Sequence, residues 1–83
     1  MKLVKYYATW CGPCKRFAPV AERVAKETGI PLEEVDIDQS PTEGIQTVPA
    51  TRLYADDGTI LAEKSGVMTP VAMRQWVAEN TPS

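Results

Sequence analysis

Trp10-Cys11-Gly12-Pro13-Cys14 holds both cysteines of the chain, and the remaining sequence reads outward from it as scaffold or docking surface for two thiols. Cysteines separated by two residues at a helix start put Cys11 exposed at the helix N-terminus and Cys14 about one turn in, on nearly the same face. The two can therefore bond to each other. The unpaired N–H groups and positive dipole end of a helix favour negative charge there, which lowers the pKa of the first cysteine and makes Cys11 the expected nucleophile. A mixed disulfide on Cys11 is then released by a second thiol within reach, and Cys14 is placed to be that resolving thiol. Pro13 has φ preset for a first helical turn, while Gly12 permits a sharp start and is expected to leave the Cys11 sulfur uncovered.

Other uses of two cysteines fit less well. Disulfide stabilisation falls as the closed loop shortens, so a structural staple here would constrain the unfolded chain little. A closed zinc site needs about four ligands, and this chain has 2 cysteines and no histidine. Chance pairing of buried cysteines leaves the Gly-Pro insert and the adjacent Trp10 unexplained. Redox chemistry by the pair, with no metal and no bound cofactor, is the expectation.

The stretch Ala8-Thr9-Trp10-Cys11-Gly12-Pro13-Cys14-Lys15 resembles the active-site motif of the thioredoxin family. Val35-Asp36-Ile37-Asp38-Gln39, the Val48-Pro49 pair, and Gly58 and Gly66 at turn positions follow in the family's order. The resemblance is to a short thioredoxin, of the small archaeal and phage type, without the strand and helix that usually precede the active-site strand. It implies a minimal thioredoxin fold, βαβ followed by ββα, with a four-stranded mixed sheet and helices on both faces. It also implies a thiol-disulfide oxidoreductase that takes electrons from a thioredoxin reductase or similar reductase. Oxidised proteins are the implied clients, ribonucleotide reductase being one by family analogy alone. A glutaredoxin-like protein reduced by glutathione is the alternative enzyme, although Gly12-Pro13 differs from the Pro-aromatic pair usual there. A thioredoxin fold serving as a binding subunit of a larger complex is the non-enzymatic alternative.

Trp10, by its own position in the loop that holds Cys11, is expected to flank the sulfur and contact a docking chain; its alternative is core filling. The resemblance assigns further residues. A cis Val48-Pro49 bond opposite the disulfide lets Val48 pair an extended substrate in β fashion; the alternative is an ordinary proline at a strand start. Lys5 and Glu34 depart from the family pattern, which carries a buried aspartate at the first position and a lysine at the second. The charges are swapped. A compensating Lys5-Glu34 pair near Cys14 would favour its thiolate; two unrelated solvated side chains are the alternative. Lys15 and Arg16 read as a charged helix face.

At 83 residues the chain has room for one domain, residues 1–83, burying about 60–70% of its unfolded surface. Hydrophobic content of 43% and charged content of 24% are those of a soluble fold. With 9 basic and 11 acidic residues, a net charge of -2 and no basic block, neither nucleic acid nor an anionic membrane is an expected partner. Residues 1–8 are too short an apolar run for a secretory signal, and the motif follows at once, so a cytoplasmic monomer is expected.

The elements follow in order. Leu3 to Ala8 reads as a strand with Val4 and Tyr6 on one side and Lys5 and Tyr7 on the other. Pro13 to Thr28 is helical, with Phe17, Val20, Ala21, Val24 and Thr28 apolar, Pro19 a bend, and Gly29 the stop. Leu32 to Asp38 is the next strand, joined right-handedly to the first. Residues 40–47 form a connection of one turn or less. A strand runs from Val48-Pro49 to Ala55, Asp56-Asp57-Gly58 turns it, and Thr59 to Lys64 returns antiparallel. Thr69 caps a last helix with Pro70 at its first position and Val71, Met73, Trp76 and Val77 on its apolar side; residues 80–83 are expected to fray.

Overall fold

A computed structural model describes residues 1–40 and 44–82. It contains β1 (Lys2–Tyr7), α1 (Gly12–Thr28), β2 (Leu32–Asp36), β3 (Ala50–Tyr54), β4 (Ile60–Ser65) and α2 (Pro70–Asn80). The sheet order is β2-β1-β3-β4. β1 and β2 run parallel, as a right-handed crossover through α1 requires, while β3 is antiparallel to both β1 and β4. The fold is α/β with a four-stranded mixed sheet and two helices.

Both helices lie on one face of the sheet, which corrects the expectation of helices on both. Phe17, Ala21, Val24 and Ala25 of α1 and Met73 and Val77 of α2 share a single buried cluster with Leu3 of β1 and Leu53 of β3. Leu3 and Leu53 are register partners, so they point the same way. The other face holds a smaller cluster of Val4, Tyr6 and Ala50, against which Val35, Ile37, Tyr54 and Ile45 pack. Among the described residues no helix covers it. There Arg52 lies 5.2 Å from the Tyr6 ring centroid and donates to Glu63 Oε1 at 2.6 Å and to Tyr54 OH at 3.3 Å.

Local chemistry sets the helix limits. Gly29 stops α1 in the left-handed region at φ 72, its N–H donating to the Ala25 carbonyl; a residue with a Cβ adopts that conformation poorly. Pro19 sits inside α1 without breaking it, leaving the Lys15 carbonyl without its helical donor where Lys15 is exposed to water. Thr69 caps α2 by accepting from the Ala72 N–H at 3.1 Å. Helix α2 does not fray at Asn80: the Asn80 amide donates to the Trp76 carbonyl at 2.8 Å and Thr81 Oγ1 to the Val77 carbonyl at 2.7 Å. Val71 and Thr28, read as apolar-face positions, are exposed, and Ala25 is buried in the core instead. The connection expected over residues 40–47 and the fraying expected through Ser83 lie partly outside the described residues.

Candidate active site

Strand β1 ends at Tyr7, and the chain turns so that the Cys11 N–H donates to the Ala8 carbonyl at 3.1 Å. That turn makes Cys11 the N-cap of α1: its backbone is extended and its sulfur accepts from the Cys14 N–H at 3.1 Å. The Cα atoms of Cys11 and Cys14 are 5.3 Å apart and the two sulfurs are bonded. A short polar residue ordinarily satisfies the first free N–H groups of a helix; here a cysteine sulfur does so, where negative charge is favoured. Gly12 and Pro13 form the exposed first turn.

Cys11 is only 4% exposed, which corrects the expectation of an uncovered sulfur. Ile37, from just after β2, and Val48, from just before β3, pack on the cluster of Ala8, Cys11 and Cys14. Neither neighbour belongs to the motif, so local sequence does not announce their cover.

The Val48–Pro49 peptide bond is cis. Strand β3 begins at Ala50 rather than Val48, and the β1–β3 register ends at the Tyr6–Ala50 pair. Val48 thus stands beyond the sheet's last rung, beside the disulfide. The Gly66 N–H donates to the Pro49 carbonyl at 2.8 Å, fixing the β4–α2 loop against Pro49 and bringing the exposed Val67 with it. The sequence signalled Gly66 as a turn, with φ 90 in the structure, but not as a brace for this loop. Trp10 is 68% exposed and its indole N–H donates to Asp38 Oδ2 at 2.9 Å; it is not core filling. The Asp38 N–H in turn donates to Asp36 Oδ1 at 2.9 Å.

Behind the disulfide lies a cavity of about 380 Å³ whose walls include Cys14, Lys5, Glu34, Tyr7 and Lys15. Lys5 and Glu34 are register partners in the parallel pair β1–β2, and Lys5 Nζ stands 3.3 Å from Glu34 Oε1. Lys15 and Arg16 are exposed on α1. Among the described residues no group of three or more His, Cys, Asp or Glu side chains could hold a metal ion, and no helix is long and apolar enough to cross a membrane.

A buried cysteine pair at a helix N-terminus, flanked by a cis proline at a sheet end, defines a protein of the dithiol–disulfide exchange class. Comparison with known proteins agrees: a family model described as Thioredoxin matches residues 1–79. The thioredoxin of Rhodospirillum rubrum is 30% identical over 80 aligned residues, covering 89% of this chain and 76% of the relative. That of Pseudomonas aeruginosa is 33% identical over 84 residues, covering 94% and 77%. Among solved structures, an asparagine-to-glutamine variant of the thioredoxin from Halobacterium salinarum superimposes with a TM-score of 0.84 at 30% identity, over 98% of this chain and 74% of that one. The chain belongs to the thioredoxin family and is a thiol-disulfide oxidoreductase whose redox group is the Cys11–Cys14 pair. It spans about three quarters of the length of these relatives.

Proposed function

We propose that the chain reduces disulfides of other proteins, with Cys11 as nucleophile and Cys14 as resolving thiol. The observation that supports this order most strongly is the Cys11 sulfur accepting from the Cys14 N–H at the start of α1, where an anion on Cys11 is favoured and one on Cys14 gains less. In the reduced protein the Cys11 thiolate attacks one sulfur of a client disulfide. A Cys11–client S–S bond forms, the client's own S–S bond breaks, and the departing client thiolate takes a proton from water. The Cys14 thiolate then attacks Cys11 Sγ, forming the Cys11–Cys14 bond and releasing the second client sulfur, which is protonated in turn. Two electrons have moved to the client.

An extended client segment pairs with the Val48 backbone beyond the last β1–β3 rung, lying between exposed Trp10 and the Gly66–Val67 loop, while Gly12 and Pro13 leave the approach open. Main-chain pairing at the centre makes the site tolerant of client sequence. The redox group needs no added cofactor. Electrons return from NADPH through a thioredoxin reductase or a similar reductase, in the cytoplasm, where a close-spaced pair cycles rather than staying oxidised. The protein acts as a single-domain monomer, with oxidised proteins, such as ribonucleotide reductase, as clients.

The test is insulin reduction followed in parallel with NADPH plus thioredoxin reductase and with glutathione plus glutathione reductase. Turnover with the first system alone is expected. Turnover only with glutathione overturns the reductase assignment, and turnover with neither overturns the electron-transfer reading.

A further inference from the structure

Burying a charged side chain is unfavourable unless a partner meets it, and among the described residues one charged side chain is buried: Lys5, 3% exposed. Its partner Glu34 is 39% exposed, so the ion pair is only half withdrawn from water. Nothing in the core demands a lysine at this position, because the adjoining cluster is filled by Leu3, Leu53 and Phe17. What the position does offer is a shared cavity with Cys14.

We infer that Lys5 supplies a positive charge beneath Cys14, holding the resolving sulfur as a thiolate for its attack on Cys11, and that Glu34 sets how much of that charge Cys14 feels. The inference rests on Cys14 being the resolving thiol. Cys14 is buried, and burial disfavours a thiolate; a cation in the same cavity opposes that effect. Lys5 faces Glu34 at 3.3 Å, and the part assigned to it here is that of a charge rather than of a proton acceptor. The Cys14 proton leaves to water through the cavity mouth, where Glu34 and Lys15 are exposed. Once Cys14 has formed its bond to Cys11, its sulfur is neutral and Lys5 returns to Glu34 alone.

One further side chain fits this use. Thr51 is the register partner of Lys5 across β1–β3, fully buried, and its Oγ1 has no hydrogen-bond partner. An ammonium has three donors, more than the single Glu34 oxygen 3.3 Å away can accept from. The Thr51 hydroxyl is an acceptor on the same sheet face, available as Lys5 moves from Glu34 toward the sulfur. Other titratable or charged groups on this side include Tyr7, whose ring centroid lies 5.5 Å from Lys5 Nζ, Asp36, which accepts from the Asp38 N–H, Lys15 of α1, and the exposed Lys64 of β4, register partner of Thr51. Lys5 is thus a positioning residue that acts through Cys14.

The experiment is site-resolved titration of the reduced protein by NMR of cysteine ¹³Cβ, in wild type, Lys5→Met, Lys5→Arg and Glu34→Gln. Lys5→Met is expected to move the Cys14 titration up by about one pH unit, a tenfold loss of thiolate fraction below the midpoint. Lys5→Arg is expected to stay with wild type. Glu34→Gln is expected to shift Cys14 the opposite way, downward, which a merely structural role for the pair would not do. An unmoved Cys14 in Lys5→Met, or an upward or absent shift in Glu34→Gln, overturns the inference; should Lys5→Met not fold, Glu34→Gln decides alone. Insulin turnover by wild type is read in the same samples. Its absence alongside the stated Cys14 shifts refutes the proposed function and leaves the role of Lys5 standing.

Discussion

Phe17→Ala tests the placement of both helices on one sheet face. Phe17 is fully buried, one turn beyond Cys14, in the cluster that joins α1, α2, Leu3 and Leu53. Removing a buried aromatic ring costs about 3–5 kcal/mol, transfer and cavity effects together. At about 0.05–0.15 kcal/mol per residue, a chain of 83 residues has about 4–12 kcal/mol of stability in all. The substitution therefore removes between a quarter and all of it, and the melting temperature should fall by more than about 10 °C. Val71→Ala on α2 is the control, since Val71 is 66% exposed and a surface truncation stays within about 0.5 kcal/mol. Urea unfolding of the oxidised proteins, followed by circular dichroism, gives both numbers. A cost below about 1 kcal/mol for Phe17→Ala, or equal costs for the two variants, would refute the packing described.

Gly29→Ala puts a Cβ at φ 72 with open space around it, so only backbone conformation opposes it; a loss of about 1–2 kcal/mol in urea unfolding is expected. On the open sheet face, burial pushes Tyr54 up, but its hydrogen bonds with Tyr6 and Arg52 outweigh this and leave its phenol below 10.0. Tyr6 is pushed above 10.0 by burial and by its bond to Tyr54. Alkaline absorbance titration should show Tyr54 ionising first, and Tyr54→Phe should remove the earlier transition; loss of the later one would contradict the assignment. Asp57 accepts from the Thr59 N–H at 2.9 Å, and that bond holds its carboxyl below 3.8. A depressed acid stabilises the fold above its unfolded pKa and ceases to do so as pH falls through the lower folded value. Below about pH 4, Asp57→Asn should therefore lose less stability on acidification than wild type, measured by urea midpoints across that range.

The parts of the fold legible in the sequence were those set by neighbours along the chain. The two-residue spacing of the cysteines, Pro13 in the first turn, Gly29 as the stop, and Thr69 before Pro70 each fix a local conformation: α1 begins and ends, and α2 begins, where those residues place them. Strand alternation likewise placed Lys5 and Glu34 where a parallel register can pair them. What periodicity does not carry is which face of the sheet receives an apolar helix side. It marks the stripe on α2 but not its destination, so it does not tell that Met73 and Val77 meet Phe17 on one side of the sheet. The burial of Cys11 was missed for a similar reason: its cover comes from Ile37 and Val48, distant in sequence and joined only by the fold. The hydrogen bond from Gly66 to Pro49 is equally non-local. The cis bond at Pro49 was readable through family resemblance alone, since a proline at a strand start is otherwise ordinary.

Electron transfer in this order requires Cys11 to attack and Cys14 to resolve, and a trapped intermediate shows which sulfur does which. Reduced Cys14→Ser protein is mixed with an oxidised protein client, quenched with acid, and the adduct mapped by mass spectrometry after digestion without reductant. The expected result is a stable mixed disulfide between the client and Cys11, with no accumulation of adduct in wild type and no turnover by Cys11→Ser. A Cys11→Ser protein that still turns over the client, or a Cys14→Ser protein that forms no adduct at Cys11, would contradict Cys11 as the nucleophile.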